Sequence, residues 1–300
     1  MEPAKAALPT LRELTAIYGI GAAKELSQNF IMDLKVARRI VSRARNPEWT
    51  TVEIGPGLGS LSRSALDLGC PRLILIEKDA RFTPILSQLA SAYPDREVSL
   101  LNRDALRIED DDLASYLKGY DKGVNILGNL PFSISTPLLT QYLHAIANQR
   151  GIFAGSRPYE MNLLFQKEVA DRIVAGPSTK ARSRLSILAQ AVCHVKENLV
   201  LSPNCFVPKP SVHVSMLRFS PLKKSPFIGS TDIAGLERMA RAAFSCRRKT
   251  VRNTLKHVNW LEGRKVQDAL RDAGISESAR AEDLEVSDFV KLLHLSDMKN

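Results

Sequence analysis

The sequence predicts a doubly wound α/β fold with a small helical region behind it. Three observations carry the prediction. Short apolar runs alternate with helical patterns from Thr50 to Ala175, as in βαβ units whose parallel sheet is covered on both faces. The runs give way in turn to Gly55, Glu77, Asp104 and Asn129, and ligands of such sheets bind outside the carboxyl ends of the strands. Beyond Pro221–Ser230, which reads as a linker, only helical periodicity remains. Two domains are therefore expected, residues 1–222 and 223–300.

Composition narrows the class. With 300 residues and 44% hydrophobic content, the chain can fill one large core or two ordinary ones. No apolar stretch approaches the roughly 20 residues of a membrane span, so a soluble protein without a membrane partner is expected. A net charge of +10 points to a polyanionic partner, nucleic acid first. Cys70, Cys193, Cys205 and Cys246 lie far apart. They suit neither a metal site nor a disulfide framework, and a reducing compartment is the default. Near the start, Lys5, Arg12 and Lys24 are offset by Glu2, Glu13 and Glu25, a poor match to an Arg-rich, acid-poor transit peptide and no secretory signal.

In chain order, Thr10–Leu26 reads as a helix with Leu11, Leu14, Ile17 and Tyr18 on one face, and Asp33–Arg45 as a basic amphipathic helix. Strands are predicted at Thr51–Gly55, Arg72–Glu77, Val98–Arg103, Val124–Leu127 and Met161–Gln166. Helices are predicted at Ser60–Leu68, Ala80–Ala92, Asp111–Lys118 (weakly), Thr136–Asn148, Lys167–Ala175 and Leu185–Val192. Gly176–Arg184 reads as an exposed loop. Val195–Leu201 and Val212–Phe219, flanking proline-rich Pro203–Pro210, read as an antiparallel pair closing the sheet.

The chemistry gathers at the strand ends. Asn129-Leu130-Pro131-Phe132 ends a buried strand with a side-chain amide, free carbonyls and an aromatic face, since proline cannot continue a ladder. An amino group on a flat ring fits there: its hydrogens go to the Asn129 side-chain oxygen and a main-chain carbonyl, and its ring stacks on Phe132. Glu53-Ile54-Gly55-Pro56-Gly57-Leu58-Gly59 lets a ligand approach the backbone beside a helix N-terminus, although a tight turn or a dinucleotide fold reads the same way. Glu77 can accept both hydrogens of a ribose diol, a position that suits NAD equally well. Asp104 serves on spacing alone as an acceptor for an adenine amino group or as a cap for the following segment.

The whole series resembles the ribosomal RNA adenine dimethyltransferase family of S-adenosylmethionine-dependent enzymes. The likeness covers nearly the whole chain. It runs from Leu26-Ser27-Gln28-Asn29-Phe30-Ile31 through Val52–Gly57, Glu77-Lys78-Asp79, Asn129–Pro137 and Phe206-Val207-Pro208-Lys209-Pro210 to Phe244-Ser245-Cys246-Arg247-Arg248-Lys249-Thr250-Val251-Arg252-Asn253. The last stretch is highly specific to the family; the glycine loop is not. Leu8–Glu13 and Leu163–Ala170 resemble the mitochondrial branch, and Phe132 is compatible with it, many bacterial members having Tyr there.

The resemblance implies a Rossmann-like S-adenosylmethionine-dependent methyltransferase with a small C-terminal helical domain. The implied reaction is dimethylation of the 6-amino groups of two adjacent adenines in a small-subunit rRNA hairpin loop. Cofactor-binding residues are then Gln28, Asn29 and Ile31 around the methionine end, Gly55 beneath it, Glu77 at the ribose, Lys78 and Asp104 at the adenine, and Asn129 where sulfonium and target amine meet. Asn129, Leu130, Pro131 and Phe132 are the implied catalytic group, and no matched position is lost. Phe132 and Phe206 are candidates to stack the target base, Phe206 serving equally as an anchor for its own loop.

The stretch Phe244–Trp260 contains no acid. It reads as a helix with Phe244, Val251, Leu255 and Val258 on its apolar face and an RNA-binding stripe of Arg241, Arg247, Arg248, Lys249, Arg252 and Lys256. Lys180, Arg182 and Arg184 are a second contact or merely solvated. The implied partner is the immature small ribosomal subunit, with mitochondrial transcription machinery a further one. The expected state is a monomer in the mitochondrial matrix, or in the cytoplasm or nucleus. The rivals are methylation of another RNA, such as large-subunit rRNA, and a non-catalytic nucleic-acid-binding factor in mitochondrial transcription or ribosome assembly.

Overall fold

A computed structural model of the chain describes residues 8–19, 28–44, 46–108, 113, 115–120, 122–228 and 232–296. The first helix, α1 (Leu11–Ile17), opens with a capping box in which Thr10 and Glu13 satisfy each other's backbone N–H, and it buries Leu11 and Leu14. The rest of the expected helix, from residue 20 on, lies outside the described residues. Strand β1 (Phe30–Ile31) leads into α2 (Leu34–Ala44), which buries Ala37, Ile40, Val41 and Ala44. A helix end leaves carbonyls without partners. Here Asn162 Nδ2 reaches Ala44 O at 3.3 Å, while Asn198 Nδ2 and Arg218 Nη2 reach Arg43 O at 3.1 and 2.9 Å. That explains a fully buried asparagine at 162.

The alternation then follows: β2 (Thr50–Ile54), α3 (Ser60–Asp67), β3 (Arg72–Glu77), α4 (Thr83–Ser91), β4 (Glu97–Asn102), β5 (Val124–Gly128), α5 (Phe132–Ala147), β6 (Tyr159–Gln166), α6 (Lys167–Val174), α7 (Arg184–Val192), β7 (Cys193–Leu201), β8 (Phe206–Val207) and β9 (Val214–Pro221). A single 3₁₀ turn, Ala80–Phe82, capped by Asp79, precedes α4. The weak helix expected at Asp111–Lys118 falls partly outside the described residues and ends in a turn at 116–119. Helix α5 begins earlier than the expected Thr136. Pro137 suits a first helical turn, but the helix runs through it and forgoes the N–H bond that a proline cannot make.

Among the described residues the main sheet has seven strands in the order β4-β3-β2-β5-β6-β9-β7. The first five run parallel, and β9 lies antiparallel to β6. The chain winds outward from β2 through β3 to β4, then returns to place β5 on the other side of β2. The order therefore reverses between β2 and β5, where open α/β sheets bind ligands. Register pairs Ile54 with Gly128, so Gly55 and Asn129 emerge side by side. Beneath them Leu61, Leu73, Leu75, Phe82, Leu86 and Leu127 are part of a continuous apolar core.

The chain forms two compact units: Met1–Leu139, Arg150–Lys167 and Lys196–Ser220 in one; Thr140–Gln149, Glu168–Val195 and Pro221–Asn300 in the other. The second contains α8 (Ile233–Ala243), α9 (Val251–Thr254), α10 (Val266–Asp272) and α11 (Val286–His294). Leu236, Met239, Leu270, Phe289 and Leu292 are fully buried there, and the Phe244 and Phe289 rings stack with centroids 6.2 Å apart.

Two expectations are corrected in this unit. Phe244–Trp260 is not one helix: α8 ends at Ala243, a turn carries Arg247, Arg248 and Lys249, and α9 spans Val251–Thr254. The Val251 N–H bonds Ala279 O at 2.8 Å, diverting the backbone from a continuous ladder. Gly176–Arg184 is not exposed throughout. Arg182 is 1% exposed, its guanidinium donating to Ala175 O, Leu284 O and Gln190 Oε1 at 2.7, 3.0 and 3.2 Å. It is therefore unavailable as a phosphate contact.

Candidate active site

Two adjoining cavities open at the carboxyl ends of β2, β3 and β5 and share Gln28, Gly55, Glu77 and Pro131. The smaller, about 50 Å³, is lined also by Asn29, Phe30, Ile31, Glu53 and Asn129. The larger, about 270 Å³, is lined also by Lys78, Arg103, Asp104, Leu106, Ser133 and Ile134. The structure thus brings together Gln28, Asn29, Ile31, Gly55, Glu77, Lys78, Asp104, Asn129 and Pro131 from scattered sequence positions.

Gly55 has φ +65°, and a Cβ there would project into open space. Any side chain would enter the room left for a ligand, and the backbone conformation itself favours glycine. Gly57 also has positive φ, +54°, and a Cβ there would lie 3.1 Å from the Phe30 ring. Phe30 is held over the loop by an edge-on contact with Phe82.

Glu77 is 6% exposed. Its Oε2 accepts from Gly57 N and its Oε1 from Asp79 N, each at 2.9 Å, so one carboxylate ties the glycine loop to the turn after β3. Burial lifts its pKa above the usual carboxylate value, against those same bonds. Glu77 lines both cavities. Asp104 accepts from Leu106 N at 3.1 Å and pairs with Lys78 Nζ at 2.9 Å. The Lys78 hydrogen bond holds its pKa below the ordinary range. Asp104 thus caps the turn with one oxygen and engages Lys78 with the other, while lining the larger cavity.

Asn129 Nδ2 donates to Asn29 O at 2.7 Å. That bond fixes the amide, leaving Oδ1 as an acceptor at the cavity edge. Leu130 is 2% exposed and packs beneath Gly128, where an added Cβ would come within 3.0 Å of it. Only its carbonyl can serve the site. Phe132, half-buried, opens α5 and rests against the core. Phe206 is corrected: it is 2% exposed and paired with Ile31 across β1 and β8. It anchors its loop and offers no face to a base.

Sequence reasoning does not single out Glu53. It sits in the all-buried strand β2, lines the smaller cavity and accepts a hydrogen bond from Ser62 Oγ at 2.6 Å. Burial pushes its pKa up to about 8, with the nearby Glu77 charge adding to the shift. The available signal is an acid between two β-branched apolar residues, Val52-Glu53-Ile54, in a strand where a charge has no cheap place.

Arg248, Lys249 and Lys256 are exposed, with no ion pair among the described residues. Arg252 instead pairs with Glu277 at 3.0 Å, and Arg241 with Glu237 at 3.1 Å. The expected stripe is thus partly compensated, by an acid one helical turn away at Glu237 and by Glu277, distant in sequence.

The family model for ribosomal RNA adenine dimethylase matches residues 21–297. The chain is 38% identical to ribosomal RNA small subunit methyltransferase A of Cereibacter sphaeroides, over 95% of this chain and 96% of that one. It is 36% identical to the mitochondrial dimethyladenosine transferase 1 of Homo sapiens, over 95% and 84%. Among solved structures, a dimethyladenosine transferase from Plasmodium falciparum superposes with a TM-score of 0.67 at 22% identity, over 87% of this chain and 94% of that one. The 23S rRNA methyltransferase ErmE gives 0.60 at 20%, over 89% and 98%. These two likenesses speak for the fold.

Proposed function

The chain belongs to the ribosomal RNA adenine dimethylase family, and from that premise we propose that it dimethylates the 6-amino groups of two adjacent adenines in a small-subunit rRNA hairpin loop. It is an S-adenosylmethionine-dependent methyltransferase, and the cavities suit that cofactor: a glycine floor open to a ligand, a buried ribose acceptor and a second acid for the adenine. When bound, the cofactor supplies a methyl group on a positively charged sulfur. In this reading Asn29 and Ile31 cover its methionine end with Gln28, Gly55 lies beneath, Glu77 takes the ribose hydroxyls, and Lys78 and Asp104 take the adenine.

The observation that carries the reaction is the Asn129–Asn29 bond. An adenine amine is a poor nucleophile because its lone pair is delocalised into the ring. The Asn129 oxygen and the Asn129 or Leu130 carbonyl accept its two hydrogens and favour a pyramidal nitrogen. Holding that nitrogen in place removes an entropic barrier, and fixed acceptor dipoles stabilise the ammonium as it forms. The product nitrogen is acidic enough to release its proton to water. Phe132 stacks the base, worth ~1–3 kcal/mol, and the base enters unstacked from its loop.

RNA backbone binding is assigned to the helical region beyond residue 222, with Arg248, Lys249 and Lys256 as phosphate contacts. Relatives named for mitochondria support a mitochondrial setting; the bacterial relative, just as similar, is named for small-subunit ribosomal RNA and supports that substrate. The test incubates purified protein with labelled S-adenosylmethionine and immature small subunits, then analyses nucleosides by mass spectrometry. Dimethyladenosine at one hairpin is expected. Cofactor and RNA binding without methyl transfer would defeat the reading.

A further inference from the structure

Arg247 is exposed, yet its guanidinium is engaged. Nη1 donates to Lys180 O at 2.8 Å and Nη2 to Arg182 O at 3.3 Å. Two main-chain carbonyls of the loop 176–184 are therefore gripped by one planar fork, a geometry that lysine cannot reproduce. The loop is held from the other side as well. Ser178 N donates to Glu282 O at 2.8 Å, and the buried Arg182 reaches Leu284 O. Ser178 has φ +58°, an uncommon conformation for a residue with a side chain that persists where surrounding bonds impose it. Between these holds, Lys180 is exposed and has no ion pair among the described residues. The turn that supplies Arg247 also carries exposed Arg248 and Lys249.

We propose that Arg247 is a positioning residue that sets Lys180 beside Arg248 and Lys249, so that two loops distant in sequence make one RNA-phosphate surface. The inference rests on the RNA reading above and divides its labour: Arg247 holds the loop, and Lys180 joins the phosphate contacts. An arginine already donating to two carbonyls has fewer N–H groups left for phosphate.

The test measures binding of the full chain to a stem-loop RNA with two adjacent adenines in its loop, across a series of salt concentrations. K180A is expected to weaken binding several-fold and make the salt dependence shallower by about 1 in log–log slope. R247K keeps the charge but is expected to lose the same amount, and R247K/K180A to lose no more than R247K alone. Trypsin should also cut after Lys180 faster in R247K than in the parent, well below either protein's melting temperature. Additive losses in the double variant, or unchanged cleavage with parental RNA affinity in R247K, would overturn the proposal. Unchanged affinity in R248A/K249A would remove the RNA surface itself, and this inference with it.

Discussion

The parallel sheet has a cavity at each end, and the two ends treat charge differently. At the carboxyl ends, Glu53 and Glu77 face the cavities without a cationic partner among the described residues; their hydrogen bonds come from a hydroxyl and from backbone N–H groups. At the amino ends, Thr50, Arg72, Glu97, Tyr120 and Lys122 are among the residues lining a larger cavity of about 400 Å³. There the ions cancel one another. Arg72 pairs with Glu97 at 2.9 Å and stacks over the Tyr120 ring at 3.7 Å, Tyr120 donates to Glu97, and Lys122 pairs with Glu48 at 3.2 Å. The difference lies in how the acids are held: the two buried acids at the carboxyl ends are met by neutral donors, the acids at the amino ends by cations. It is the carboxyl end, at the reversal of strand order, where open α/β sheets take ligands.

Substitutions at each end break or sharpen this contrast. The largest effect is expected from Asn129→Ala, which removes the fixed acceptor: kcat falls about 10²–10³-fold, as when one oriented transition-state partner is lost, while RNA affinity in a filter-binding assay stays near the parent's. Glu53 gives a pH signature. Its folded pKa lies above its unfolded one, so its contribution to stability is fully present below about pH 4.5 and is lost as pH rises through about 8. Denaturant melts of the parent without cofactor should therefore show stability falling across that window, by at most about 1.4 kcal/mol per pH unit from this group, and Glu53→Gln should flatten the slope.

Glu77→Ala should weaken cofactor binding about tenfold or more by calorimetry, since it strands buried N–H donors and removes the ribose acceptor. Arg72→Met should be mildest, a loss of about 1 kcal/mol of stability in a thermal melt, since the apolar side chain keeps the buried stem's packing and the Glu97 left behind is exposed to water, with an unchanged KM for the cofactor. A raised KM there would mean that the amino-end cavity also serves the reaction.

Much of this was legible in the chain. Strand ends declare themselves because an apolar run must stop, and the residues where it stops, Gly55, Glu77, Asp104 and Asn129, all line the two cavities. Periodicity was a poorer guide at Phe244–Trp260. Val251, Leu255 and Val258 are buried as their spacing implies, but burial does not require an unbroken helix. Ser245 and Thr250 are residues that compete with helix interiors for backbone bonds, and they flank the turn that forms. The burial of Arg182 and Phe206 was invisible, because their partners, Leu284 and Ile31, lie far along the chain.

The bond between Asn129 and Asn29 has one more consequence. An amide can present either an oxygen or an NH₂ group, and at most sites a rotation exchanges them. Here a rotation would set the Asn129 oxygen against the Asn29 carbonyl, two acceptors at 2.7 Å. On the proposed reading, the Asn129 oxygen therefore greets a hydrogen-bond donor only. A nucleobase bearing an exocyclic oxygen at that point, such as guanine or hypoxanthine, would meet repulsion instead of a partner, so that discrimination of amino from keto bases would be written into a contact that touches no RNA.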